Sequence, residues 1–379
     1  MKIIAFYLPQ YYEFEENNQW WGKGFTEWTN VRKAKPLFKG HEHPHIPYNH
    51  DYYILDNPKV MQRQIAWAKK YGIHGFCFYH YWMGFGKLLM QNPLEMFLDH
   101  KELDIPFCLS WANHNWARSW VGGDKEILMA QQYGDEKEWR QHYEYLKPFF
   151  MDERYIHQDG KAVLLIYLPE EIPNRKEMFS KLNKWAEEDG IGGICFIGQG
   201  AVYAYKYANT KDELDYCIQY EPNYTKMHNS VKEMLQGFIN NPEYIVNRVS
   251  QNIKHRIGMV LHISKYELTI HNYDAFWKQI LGYKKIPSKM IPCAFTAFDN
   301  TPRRGERGQV YYQSTPKKFE KYLIKLLIKN KKIYKKELFF INAWNEWGEG
   351  AVLEPDEKYG FGYLEAVQKA LKEVKNGEI

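Results

Sequence analysis

Short, unbroken runs of apolar and aromatic residues recur along this chain, separated by longer stretches whose apolar positions fall three and four apart. The short runs lie at residues 3–8, 75–79, 106–111, 162–167, 193–197, 216–220, 291–297 and 338–344. Their lack of polar alternation fits strands buried on both faces, as in a parallel sheet covered by helices. Between them, residues 58–71 put Met61, Ile65 and Ala68 on one stripe and stop at Gly72. Residues 135–147 do the same with Trp139, Tyr143 and Leu146, and residues 174–189 with Met178, Leu182 and Trp185. Thr315 is placed to cap a helix that opens with Pro316 and buries Phe319, Leu323 and Leu326. Leu364, Val367, Leu371 and Val374 form the stripe of a last helix. Eight strands alternating with helices predict an α/β fold of the (β/α)8 TIM barrel type, with elaborated loops at the C-terminal face that carries the chemistry of such barrels. The segments after the first strand and around residues 198–275 break the alternation. No repeat or low-complexity linker interrupts the chain, so residues 1–379 are read as one domain.

Composition narrows the function. A formal charge of +5 arises from 51 basic and 46 acidic residues, and the lysines are scattered over helix faces, so no nucleic-acid partner is implied. Cys77, Cys108, Cys195, Cys217 and Cys293 fall inside apolar runs without CxxC spacing, which reads as reduced, buried small residues and not as disulfides or zinc ligands. The apolar stretch at the N-terminus is too short for a signal peptide, and no run approaches the roughly 18 apolar residues of a membrane span. A cytoplasmic protein with no integral membrane segment is expected. Aromatic residues make up 17% of the chain, with 13 Trp and 30 Tyr, more than a core needs; many of these rings are expected to face a ligand.

Polar and aromatic residues gather where the strands end. Residues 342–350 place Glu346 and Glu349 among Asn342, Trp344, Asn345 and Trp347. Two carboxylates in different surroundings can divide acid and base roles, while rings and amides suit a sugar. Further candidates for substrate contact are Tyr7 at the first strand's end, Trp20, Trp21, Glu27 and Trp28 in the segment after it, and Tyr79, His80 and Tyr81 after the second. Trp111, Asn113, Asn115 and Trp116, with Arg118 and Trp120, follow the third strand; Asp299, Asn300 and Arg303, with Thr301 and Arg304, follow the seventh. Each of these groups has a structural alternative as a packed lid, a hydrogen-bond network or solvent-facing ion pairs. His41, His43, His45 and His50 crowd one loop, but their alternate spacing converges poorly and no acidic ligands in a known metal pattern accompany them, so His45 is read as a hydrogen-bonding residue and no metal is expected. The glycines of residues 22–24 and 84–86 lack dinucleotide and P-loop spacing, so no cofactor is expected either.

Taken with residues 5–10, 20–30, 33–38, 72–82 and 299–304, residues 340–356 give the chain an end-to-end resemblance to the WbsX-like proteins of bacterial polysaccharide gene clusters, which are related to glycoside hydrolase family 99. The resemblance implies a (β/α)8 barrel, a retaining endo-acting glycosidase machinery and no metal. It also implies that Glu346 deprotonates the sugar 2-hydroxyl, whose oxygen attacks the anomeric carbon to give a 1,2-anhydro sugar, while Glu349 serves as acid and then base. One position departs from the pattern: where the resembling sequences commonly carry glutamate between two asparagines, this chain has His114. The expectation is a glycoside hydrolase acting on an α-linked, mannose-like oligosaccharide or polysaccharide. The alternatives are a glycosyltransferase of O-antigen or capsular polysaccharide assembly, which many WbsX-like proteins are called, and a carbohydrate-binding protein without turnover.

Overall fold

The computed structural model describes residues 1–118, 126–200, 204, 206, 213–228 and 268–376. Eight parallel strands close on themselves: β1 (Lys2–Tyr7), β2 (Gly75–Gly84), β3 (Phe107–Trp111), β4 (Lys161–Ile166), β5 (Ile194–Gly198), β6 (Tyr216–Gln219), β7 (Met290–Phe295) and β8 (Leu338–Asn342). Each pairs with the next, and β1 pairs with both β2 and β8, through Ile4 opposite Gly75 and Ile3 opposite Phe339. The protein is a (β/α)8 TIM barrel. Every strand lies on a predicted run, with ends shifted by no more than two residues except in β2. That strand continues past Tyr79 to Gly84, because its tail turns back at Phe85 and pairs antiparallel with Lys87–Leu89.

Strand alternation decides which side chains see the barrel interior. Phe6 points inward and meets Phe340, Tyr220 and Tyr79 at ring separations of 5.4, 5.4 and 5.8 Å. These four rings are almost wholly buried, and each contributes on the order of 2–3 kcal/mol by leaving water. The neighbouring Tyr7 points outward, donating from its hydroxyl to Gln64 on the helix Pro58–Tyr71. All five cysteines are buried within this core and none forms a disulfide.

The predicted helices form with the caps their sequences carry. Asn57 accepts from the backbone of Lys59, Asp135 from Lys137, and Thr315 from Lys318, each cap worth about 1 kcal/mol. Gly72 ends its helix in the left-handed region at φ +88°, a conformation other residues adopt at a cost. Two short helices, Glu15–Trp21 and Glu27–Lys33, occupy the long segment after β1 and contribute to the wall above the C-terminal strand ends. Trp120 and most of residues 201–212 and 229–267 lie outside the described residues. Among the described residues, no helix is long and apolar enough to cross a membrane.

Candidate active site

At the C-terminal ends of the strands the barrel opens into a cavity of about 300 Å³. Its wall takes Tyr79 and Tyr81 from β2, His114 and Trp116 after β3, Tyr167 after β4, Tyr220 after β6, Phe298, Asn300, Arg303 and Arg304 after β7, and Glu346 and Glu349 after β8. Leu8, Gln10, Trp21, Phe25, Glu27 and Asn30 add to it from the segment after β1.

Arg303 organises the acids. Its Nε donates to Glu27 Oε1 at 2.7 Å, its Nη2 to Glu346 Oε2 at 2.8 Å and its Nη1 to Glu349 Oε1 at 2.9 Å. The Glu27 carboxylate rests on Gly348: a β-carbon there would lie 1.6 Å from Glu27 Oε1 and 2.7 Å from Arg303 Nε. The glycine between the two acids is therefore required by space. Glu27 itself opens its helix behind a capping box at Thr26, and its backbone N–H donates to the carbonyl of Gln10. From the other side, the Asp299 backbone N–H donates to the carbonyl of Glu349 at 2.6 Å.

Burial raises the pKa of both cavity acids, opposed by Arg303. Glu346 is pushed up to about 8 by desolvation, with Arg303 pulling it down and the charges of Glu349 and Glu27 adding to the rise. Glu349 is also raised, by desolvation against Arg303, and is the more open of the two, with 23% of its side chain exposed against 8% for Glu346. Burial thus favours keeping a proton on the pair, and Arg303 favours releasing it. His114, partly buried between Tyr81 and Tyr167, is pushed down to about 4 by desolvation and stands as a neutral imidazole on the wall.

Of the residues singled out from sequence, Trp21, Glu27, Tyr79, Tyr81, His114, Trp116, Asn300, Arg303, Arg304, Glu346 and Glu349 meet at this cavity. The others lie elsewhere, and their hydrogen bonds say why. Tyr7 and His80 fall on the outward parity of their strands; His80 pairs with His142 at 2.9 Å. Trp111 donates to the carbonyl of Trp82, and Trp28 to that of Tyr53. Trp20 stacks behind Trp116 at 6.0 Å. Asn113 ties β3 to β4 by exchanging two bonds with the backbone of Leu168, and Asn115 accepts from Gln131 N–H. Asn345 likewise exchanges two bonds with the backbone of Leu8, and Asn342 donates to the carbonyl of Glu221. Trp344 and Trp347 do not offer their indoles to the cavity. Both donate to the buried Glu354, which also accepts from Gln64 and Tyr53. Sequence reading passed over Glu354; an acid between Leu353 and Pro355 at the end of a Trp-rich segment was its signal.

The histidine loop requires a correction. Asp299 does reach it: His41 Nε2 and His43 Nε2 lie 2.6 and 2.7 Å from Asp299 Oδ2. These three side chains could be taken for a cation site. However, His41 Nδ1 accepts from the Leu37 N–H, which leaves the proton on Nε2, pointed at the carboxylate. Two ligand atoms about 2.1 Å from one ion are also about 3 Å or more apart, farther than these are. The cluster is a hydrogen-bonded brace: although burial opposes it, bonds from His41, His43 and Thr301 hold the Asp299 carboxyl below the ordinary range. His45 packs on His43 at 4.9 Å, away from the cavity wall.

A closed parallel barrel whose acids line its C-terminal mouth defines the class. The family 99 endo-α-mannosidase of Bacteroides thetaiotaomicron, solved with bis-tris-propane, shares the fold with a TM-score of 0.53 at 14% identity over 98% of this chain and 97% of that one. A glycoside hydrolase-like protein aligns with a TM-score of 0.54 at 13% identity, over 97% and 93% of the two chains. At such identities the likeness is one of fold. The family is given by sequence: the model described as glycosyltransferase WbsX matches residues 3–367, and the chain belongs to that WbsX family. The uncharacterised protein WxcX of Xanthomonas campestris pv. campestris is 30% identical over 378 residues in strain B100 and over 377 in a second strain, covering 97% of this chain. The chain spans about half the length, 49%, of these curated relatives.

Proposed function

We propose that this protein is a retaining, endo-acting glycoside hydrolase that cleaves an α-linked, mannose-like unit of a bacterial polysaccharide or glycan through a 1,2-anhydro sugar. The observation that carries this reading is the approach of Glu346 and Glu349 to the two terminal nitrogens of one guanidinium. Direct attack by one acid uses carboxylates about 5–5.5 Å apart across the sugar. Sharing one arginine does not fix that separation, and the choice of a substrate that carries its own nucleophile follows the resemblance to family 99. In an α-mannoside the 2-hydroxyl stands trans-diaxial to the leaving group. Glu346 takes the 2-hydroxyl proton, O2 bonds to the anomeric carbon, and the bond to the leaving oxygen breaks as Glu349 protonates it. Glu349 then takes a proton from water, the water oxygen opens the epoxide at the anomeric carbon, and Glu346 returns the proton to O2. This cycle starts with Glu346 as the anion and the pair's proton on Glu349.

The family's description favours a second reading, transfer from a nucleotide sugar. The two are separated by incubating the protein with α-mannosides and bacterial polysaccharides, and separately with nucleotide sugars plus acceptor. Hydrolysis that falls by orders of magnitude in Glu349→Gln supports the first. Nucleotide release coupled to chain extension replaces it with the second, and glycan binding without product in either assay leaves a carbohydrate-binding protein.

A further inference from the structure

We propose that Glu27 is a positioning residue that works through Arg303 to keep one proton on the Glu346/Glu349 pair. Its kinetic consequence rests on the hydrolase reading; the proton count does not. Glu27 occupies the Nε edge of Arg303, and the two cavity acids occupy the terminal nitrogens. The Glu27 side chain is 2% exposed and that of Arg303 10%, so neither charge is much relieved by water. One positive charge facing two carboxylates would favour both as anions. A third carboxylate on its remaining edge offsets that charge, and the cavity acids then meet a neutral ion pair instead of a free cation.

The other groups facing the pair leave this count standing. Arg304 adds a weaker positive charge toward Glu349 from the cavity rim. The hydroxyls of Tyr79, Tyr81 and Tyr220 are raised well above their ordinary value by burial and stay neutral. So does Tyr11, whose hydroxyl donates to the carbonyl of Asn345, and so does Tyr167. His114 is neutral above about pH 4. Asp299 faces its histidines and reaches Glu349 only through the backbone. Two features of the sequence exist to serve the contact: Gly348, whose lack of a side chain admits the Glu27 carboxylate, and the capping box that fixes the start of the Glu27 helix. A carboxylate needed only to cap a helix would not require a glycine between the two cavity acids.

The test is a pH titration of carboxyl-¹³C-glutamate-labelled protein without substrate, resonances assigned with Glu346→Gln and Glu349→Gln, in wild type, Glu27→Gln and Glu27→Asp. In Glu27→Gln the pair should lose its proton about one to three pH units lower, and Glu27→Asp should restore most of that shift. The double variant Glu27→Gln with Arg303→Gln removes both charges and should return the proton; it also decides the matter should the single variant fold poorly. Where hydrolysis is measurable, the alkaline limb of kcat/KM should move down with the resonances. Unchanged titration in Glu27→Gln, or a double variant that falls further instead of recovering, overturns the proposal. A shifted titration in a protein without hydrolase activity would overturn the hydrolase reading alone.

Discussion

Gly348→Ala tests the local architecture with a single methyl group. Gly348 lies outside the left-handed backbone region, so its conformation suits alanine and only space forbids it. The added carbon would stand 1.6 Å from Glu27 Oε1, and a carbon and an oxygen in contact need about 3.2 Å or more, so the carboxylate must withdraw by roughly 1.5 Å. That withdrawal breaks the 2.7 Å bond from Arg303 Nε, a charge-assisted bond worth about 1.5–3 kcal/mol. Arg303 then loses its anchor, and displacement of catalytic groups by about 1 Å costs on the order of 10²-fold in rate. Denaturant unfolding should show a loss of about 2–3 kcal/mol, and kcat/KM on a cleavable glycan should fall about 100-fold. Shortening the acid makes room, so Gly348→Ala combined with Glu27→Asp should recover part of both. Wild-type stability and turnover in Gly348→Ala would refute the reasoning.

Further outcomes are expected at other sites. Glu349→Gln should lower kcat by about 10²–10⁴-fold with little change in stability, read by steady-state kinetics beside thermal melting; undiminished turnover would remove Glu349 from the chemistry. Glu354→Ala leaves the buried donors of Trp344, Trp347, Tyr53 and Gln64 without their acceptor, and should cost roughly 3–5 kcal/mol in denaturant unfolding, whereas a loss near zero would mean that the network holds nothing. Glu221, buried after β6, is pushed up to about 7 by desolvation, so the native state binds its proton more tightly than the unfolded chain does. Its contribution is complete below the ordinary carboxylate range and is lost as pH rises through about 7. Glu221→Gln should therefore gain on wild type in melting temperature between about pH 5 and 8, and a constant difference across that window would contradict the assignment. Trp21→Ala should raise KM about five- to tenfold and change kcat less, if its ring covers a sugar face; an effect on kcat alone would place Trp21 elsewhere in the cycle.

The barrel was legible because strands buried on both faces cannot alternate, and the eight apolar runs announce themselves. The cap at Thr315 was equally plain, since its side chain bonds within its own turn, whereas the caps at Asn57 and Asp135 were passed over although they follow the same rule. The site was legible in outline only. Residue types at strand ends name candidates, but parity decides which of Tyr79, His80 and Tyr81 faces the cavity, and parity is set by the barrel as a whole. The tryptophans misled for a related reason: an indole suits a sugar face and a buried carboxylate equally, and Glu354, seven residues after Trp347, takes both Trp344 and Trp347. Nor could sequence join Glu27 to Arg303, which stand 276 positions apart and meet only because β1 and β7 open into the same cavity. Asp299 and the histidine loop meet across a similar distance, so sequence could not place that acid beside His41 and His43.

The central claim concerns what Glu346 and Glu349 do to a sugar. Its most direct measurement is proton NMR of the first product released when the protein digests an α-mannoside-containing bacterial polysaccharide, recorded before mutarotation. The account predicts the α-anomer as the initial product, formed by internal cleavage and absent with Glu349→Gln. Initial β-anomer, or α-anomer formed equally well by Glu349→Gln, would contradict it.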